Sequence, residues 1–411
     1  MMTAGSKGDA ENNGASYQSP TVEKLTPISS SSTTPDNSID APSLPTLPFD
    51  LVTEILCWIP VKFLLQLCCV CKSWNYLISQ DSKFQKKHFR LSTTLHDRLH
   101  LILTPVPYYF RKFILTDFLM SSLFNNNLST ITSRQIKYSV LSTRKLSFGG
   151  VSSCHGMFCF GIDELSALFF NPSIRKFKLL PPLENPPQNH YVQTNYTLMY
   201  HRFTNNYKIV AVSVASFAKS RQLNVHSHIL GTNYWTRIQS VPFYCRVRVG
   251  ISVNDDTIDW LVYDVDNCLW LILSLDLEKD SYRKLLHPLS NDKYESNMVF
   301  QELKGCLCIV SQRPSHSDVW IMKEYGNEQS WTKLFSVPNM TYLEFYAYGR
   351  ILYVLEDDQV LMQFLTRKKS SLVIYDFRND TFNIPKIQNI NDDMVIPNIY
   401  VESLISPFSQ Y

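Results

Sequence analysis

The sequence predicts a small α-helical unit followed by an all-β, propeller-like ring of about six blades, with a disordered tail ahead of both. Three observations carry this. Residues 1–44 hold the run Ser29-Ser-Ser-Ser-Thr-Thr34 and prolines 20, 27, 35 and 42, but few large apolar side chains. From Leu47 to Ile78 apolar residues recur at helical spacing. Beyond residue 95 the pattern turns alternating and β-branched, and one unit recurs about every 50 residues.

Composition bounds the possibilities. A chain of 411 residues that is 45% hydrophobic and 13% aromatic can bury a large core, so wholesale disorder is excluded. Its 39 Lys and Arg against 36 Asp and Glu leave only +3, not the concentrated basic surface of a nucleic-acid binder. Twelve glycines are too few to favour glycine-rich phosphate loops. Met1 to Ala10 are polar, without the apolar stretch of a secretory signal. No apolar run approaches the roughly 20 residues of a membrane span. No membrane or nucleic-acid partner is therefore expected, and the ten cysteines are read in a reducing compartment, cytoplasmic and/or nuclear.

The tail, 1–44, cannot repay its ordering entropy. The helical unit spans 45–92. Leu51, Ile55, Leu56 and Ile59 make its first stripe, with Asp50 and Glu54 near the start, where the helix dipole favours acids. Pro60 ends it, because proline disfavours helical geometry in the residue before it. A second stripe runs through Leu64, Leu67, Cys71 and Trp74 and continues at Leu77 and Ile78. So small a unit holds little core of its own, and its apolar surface needs a partner.

The β-rich domain spans 95–407. Each copy of its unit has an apolar strand, a polar turn, an aromatic, a basic residue and a proline soon after. The aromatics are Phe177, Trp235, Tyr282, Trp331 and Phe382, and the recurrence predicts that Trp235, Tyr282, Trp331 and Phe382 pack between neighbouring blades. Tight-turn signals precede most copies, at His155-Gly156, Asn205-Asn206, Asn254-Asp255, Lys304-Gly305 and Tyr348-Gly349. Two hairpins per period make four strands, one blade. Residues 95–150 hold strand material for a further blade, and Ile399 to Ile405 reads as a last strand that closes the ring. A two-sheet sandwich is the competing fold.

Chemical motifs are sparse. His226-Ser-His228 and Cys306-Leu-Cys308 each place two ligands on one strand face but lack further ones, so no metal is expected. Asp255-Asp256 and Asp357-Asp358 read as turn residues. The basic runs Lys86-Lys87-His88 and Arg367-Lys368-Lys369 read as solvated edges.

The segments Leu47-Pro48-Phe49-Asp50-Leu51-Val52-Thr53-Glu54-Ile55-Leu56, Ile59-Pro60-Val61-Lys62 and Cys69-Val70-Cys71-Lys72-Ser73-Trp74 closely resemble an F-box. The likeness continues through Leu77-Ile78-Ser79 and Phe84 to Phe89. Trp58, Phe63 and Gln66 depart from the usual pattern. The remainder resembles the plant-type F-box-associated, kelch-like domain, at Ser153-Cys154-His155-Gly156, Asn171 to Phe177, Tyr207-Lys208-Ile209-Val210, Val319 to Met322, Ser330 to Leu334 and Tyr400 to Leu404. Kelch repeats carry a glycine pair per blade, whereas here only Gly149-Gly150 occurs.

The resemblance implies a non-catalytic substrate-recognition subunit of a Skp–cullin–F-box E3 ubiquitin ligase, without cofactor. The helical unit would dock a Skp-type adaptor, and through it cullin and RING subunits, while the propeller binds a target protein for ubiquitination and degradation. The adaptor face would draw on Leu47, Pro48, Leu51, Ile55, Leu56, Pro60, Leu64, Leu67, Cys71 and Trp74, some serving the adaptor and some the unit itself. Target recognition is expected of loops at one rim. A non-degradative tether and a propeller enzyme or carbohydrate binder are the alternatives.

Overall fold

The structure, a computed structural model, describes residues 47–105, 114–124, 131, 133–137, 151–162, 165–183, 192–215, 223–238, 241, 245–247, 250–290, 298–339, 349–355, 358–365, 370–388 and 395–408. The tail 1–44, the pair Gly149-Gly150 and the run Arg367-Lys368-Lys369 lie outside them.

Four helices come first: α1 (Phe49–Cys57), α2 (Val61–Leu67), α3 (Lys72–Ser79) and α4 (Ser82–Thr93). Pro48 and Pro60 stand at the N-caps of α1 and α2, where a fixed φ suits the turn into a helix and no N–H is needed. The second apolar stripe does not lie on one helix. The chain turns at 68–70, and Cys71, extended at φ −157°, becomes the N-cap of α3. Asp81 caps α4, its carboxylate accepting from the Lys83 and Phe84 amides at 2.8 and 2.9 Å.

Among the described residues, six four-stranded antiparallel sheets follow. In five of them sheet order is chain order, so each blade is a meander led by its inner strand: Val151–Cys154, Val192–His201, Cys245–Val247, Met298–Leu303 and Arg350–Val354 for blades two to six. In blade one the inner place is taken by Val395–Val401, paired with Leu99–Pro105 from Leu99↔Val401 to Pro105↔Val395. Ends of the chain distant in sequence thus close the ring and leave no edge between first and last blade. An apolar cluster fills each gap between neighbours. Across the closure, Leu101, Leu103 and Phe118 of blade one meet Leu361, Leu372 and Ile374 of blade six. This excludes the sandwich.

The closing strand begins and ends earlier than its sequence suggests, at 395–401 rather than 399–405. The reason lies in Asn171, whose amide donates to the Ser403 and Ile405 carbonyls at 2.9 and 2.8 Å. These bonds draw residues 402–406 away from the sheet.

The recurring unit has a physical origin. Asn171, Asp276 and Asp376 end the third strands of blades two, four and six. Their side-chain oxygens accept the backbone N–H two residues on, at 2.8, 3.0 and 2.9 Å, and so nucleate the turn. An aromatic follows as the second residue of the outer strand, Phe177, Tyr282 or Phe382, and packs into the cluster shared with the preceding blade. Trp235, just before its outer strand, and Trp331, the first residue of its own, pack into the preceding gap likewise and add a bond across it. Their indole N–H groups donate to the Pro181 and Leu286 carbonyls at 2.7 and 3.2 Å.

Because Trp331 is only half-buried, Trp331→Ala should cost about 2 kcal/mol, below the range for a core tryptophan. A shift in the denaturation midpoint measures it. An unchanged midpoint would show that the indole does not wedge these blades.

Of the predicted turns, His155-Gly156, Asn205 and Lys304-Gly305 take positive φ. Gly156 has a second constraint: a Cβ there would run into the Val401 carbonyl and lie 2.8 Å from the Ser403 Cβ, so the terminal segment can close only over glycine. Asn254 works differently, its side chain accepting from the Asp256 and Thr257 amides. Tyr348 lies outside the described residues, and Gly349 leads straight into an inner strand; the first hairpin of blade six pairs Val354 with Val360, and Asp358 takes φ 60°.

Candidate functional site

Neighbouring positions on α1 face opposite ways. Leu56 and Cys57 are buried with Val52 packed beside them, whereas Leu51 and Ile55 stand 50% and 55% exposed. A step of 100° per residue turns the 51/55 pair outward when 52/56 turns inward. The predicted set therefore divides. Leu64 is wholly buried with Leu56. Leu67, Trp74 and Pro60 are half-buried, and Leu47, Pro48 and Cys71 are exposed. Phe49, Trp58, Phe63, Leu65, Val70 and Tyr76 are exposed as well, so the departures Trp58 and Phe63 alter surface rather than core. Exposure of this many large apolar groups on 30 or so residues exceeds what scattered surface leucines explain.

The other side of the helical unit is already partnered. Its cluster of Leu56, Cys57, Val61, Leu64, Leu77, Ile78 and Phe84 is completed by Leu404, with Ile174 against it, both from the β-rich domain. The unit too small for a core of its own borrows one.

Polar contacts fix the same junction. Glu402 accepts from the Val61 amide at the start of α2, at 3.1 Å, and its other oxygen lies 3.5 Å from His100 Nε2. His100 Nδ1 is 3.1 Å from Asp117 Oδ1, and Asp117 also accepts from Tyr400 at 2.9 Å and Arg134 at 2.6 Å. Arg98 donates to the Trp58 carbonyl. Of the run Lys86-Lys87-His88 only Lys87 is an exposed edge, paired with Glu54 at the surface; buried His88 meets the Ile59 carbonyl at 2.9 Å, and Lys86 donates to Asn205 at 2.9 Å on blade three. Phe89 packs on His155, ring centroids 5.1 Å apart.

Burial by itself would lower the His100 pKa, but its bonds to Asp117 and Glu402 outweigh that and raise it to about 9. Burial likewise pushes Glu402 up, and His100 with the Val61 amide holds it below the usual carboxylate range. A histidine raised on folding adds stability that is complete below its unfolded pKa near 6.5 and fades as pH rises through about 9. His100→Gln should therefore lower the melting temperature at pH 6, with the gap to wild type closing by pH 10. A gap independent of pH would deny the charged imidazole its role.

Nothing in the sequence near α1–α4 signals this junction, because Glu402 and Val61 are 341 positions apart. Of the histidine pair, His228 bonds the Tyr234 carbonyl at 3.0 Å and packs on Trp235. Among the described residues no group of three His, Cys, Asp or Glu side chains is placed to hold a metal ion, and no helix is long and apolar enough to cross a membrane.

Comparison with known proteins agrees with this division. The F-box domain family matches residues 44–86, and the F-box associated beta propeller domain family matches residues 111–407. The chain is 28% identical over 374 residues to the F-box/kelch-repeat protein At3g23880 of Arabidopsis thaliana, covering 88% of this chain and 96% of that protein. It is 24% identical over 372 residues to the Arabidopsis F-box protein CPR1, covering 84% and 85%. Among solved structures, a nidogen/laminin complex aligns with a TM-score of 0.46 at 8% identity, over 74% of this chain and 99% of that one. An F-box whose core is finished by the ring behind it, and a ring matched along most of the chain, have one conclusion: this chain belongs to the plant-type F-box proteins that carry an F-box-associated β-propeller.

Proposed function

We propose that the chain is the substrate-recognition subunit of a Skp–cullin–F-box ubiquitin ligase, acting in the cytoplasm or nucleus. The observation that carries it is the pair Leu51 and Ile55, apolar and half-exposed on α1 while the opposite side of the F-box is bonded to the propeller. A surface of that kind suits an adaptor, and a ring fixed behind it suits a target. The chain supplies no catalytic group. It raises the effective concentration of the target beside a ubiquitin-charged enzyme held by the cullin and RING subunits.

Polarity of the ring supports the division of labour. The F-box helix α4 contacts Asn205 and His155, which lie in the hairpin turns that follow the inner strands of blades three and two. The opposite rim, where the inner strands begin, is left for the target. Affinity purification with ligase activity blocked should recover the Skp-type adaptor together with one or a few trapped proteins. Those proteins should accumulate in cells when residues 47–90 are deleted. Recovery without accumulation would indicate a tether, and no adaptor at all would reject the reading.

A further inference from the structure

The inner strands enclose a cavity of about 570 Å³ on the ring axis, a size typical of ligand sites. Its two ends differ in charge. The six inner strands run in one direction, so residues that open them share one rim and residues that close them share the other. Asp255, Glu302, His155 and Tyr200 line the closing end, where α4 sits with Lys86 bonded to Tyr200 and Phe89 against His155. That end is mixed in sign and partly taken by the F-box.

At the opening end stands Arg350, first residue of its inner strand. Its guanidinium has no hydrogen bond or ion pair among the described residues, in contrast to Arg98, Arg134, Arg313 and Arg378, which are all bonded. Burial alone acts on it and lowers its pKa. A half-buried guanidinium that lines a cavity and meets no acceptor among the described residues is placed to take an anion. Gln301, 2% exposed, lines the same cavity; its amide nitrogen donates to the Ile351 carbonyl while its side-chain oxygen has no partner. Lining one cavity, then, are a cation with no acceptor and a carbonyl with no donor among the described residues. A peptide segment that carries a carboxylate beside an N–H supplies both.

We propose that the axial channel receives a carboxylate of the target protein, an acidic side chain or a chain terminus, on Arg350 from the rim opposite the F-box. This deepens the receptor reading and rests on it. Arginine's planar fork suits a carboxylate held by two parallel bonds. Helix α4, seated at the other end through Lys86 and Phe89, sets its direction of entry.

The test uses the full chain with an array of random decapeptides, each made with a free and with an amidated C-terminus. Wild type should select peptides with Asp, Glu or a free terminus, and Arg350→Gln should lose that preference. For a selected peptide, Glu→Gln or amidation, whichever removes the bound group, should weaken binding about 10-fold to 100-fold. The two arms tell a side chain from a terminus, and the ligand-side change needs no altered protein. Selection without acidic preference, binding untouched by Glu→Gln and amidation, or no selection at all would overturn the proposal. Adaptor capture by the same preparations reports separately: adaptor bound without acidic selection rejects only the channel, and acidic selection without adaptor rejects only the receptor reading.

Discussion

Replacing Leu51 and Ile55 together by aspartate should abolish capture of a Skp-type adaptor and leave the melting temperature of the chain within a degree or two of wild type. Both side chains are about half-exposed and neither belongs to the F-box core cluster, so folding loses little with them. Association would bury them. A leucine-sized group is worth roughly 1.5–3 kcal/mol on burial, and two carboxylates forced into the same place add a desolvation penalty. Because each side chain is already about half-buried, the lost burial is on the order of 1.5–3 kcal/mol for the pair, and the carboxylate penalty brings the weakening to about a hundredfold or more. Leu56→Asp is the contrasting case. One position along, Leu56 is 2% exposed and lies in the cluster with Leu404, so a charge there should unfold the F-box. Wild-type capture by the double variant would show that the adaptor face lies elsewhere, on α2 or α3.

Legibility in the sequence followed the range of the interactions. Turns nucleated by Asn171, Asp276 and Asp376, with an aromatic a fixed step later, are local, and so the blade period could be read from residue types alone. The same holds for the helix starts at Pro48 and Pro60. Which of two adjacent apolar residues on α1 faces out was not legible, since Leu51, Ile55, Leu56 and Ile59 form one broad stripe and only the partner decides the division. The break between α2 and α3 was hidden because apolar spacing continues across a turn in which Cys71 is merely extended. Lys86 and His88 looked like surface charge, and became contacts only because the propeller lies against α4. Arg350 carried no signal at all. Its role depends on the cavity it lines, which draws on five inner strands and the segment 250–255, spread over most of the chain.

Two truncations at the C-terminus should separate closure of the ring from mounting of the F-box. Removing 399–411 deletes the pairs Leu99↔Val401, His100↔Tyr400 and Leu101↔Ile399, together with Tyr400, which is 4% exposed and bonded to Asp117. Tyr400, Leu404 and Ile405 would each forfeit about 1.5–3 kcal/mol of burial and half-buried Ile399 less, a total comparable with the 5–15 kcal/mol that holds a whole domain. The ring should open, and the protein should aggregate through the exposed edge of Leu99–Pro105. Removing only 402–411 keeps every closing pair. It takes away Leu404 from the F-box core, Glu402 from the Val61 amide and from His100, and the segment held by Asn171. This shorter protein should keep a cooperatively melting propeller but lose adaptor capture, because the helices that present Leu51 and Ile55 no longer have a complete core. Calorimetry on both proteins, paired with adaptor pull-down, distinguishes the two effects. If the 399–411 truncation melted like wild type, the terminal strand would not be what closes the ring; if the 402–411 truncation still bound adaptor normally, the F-box would fold without its propeller, and the tie through Leu404 and Glu402 would be an ornament of the junction.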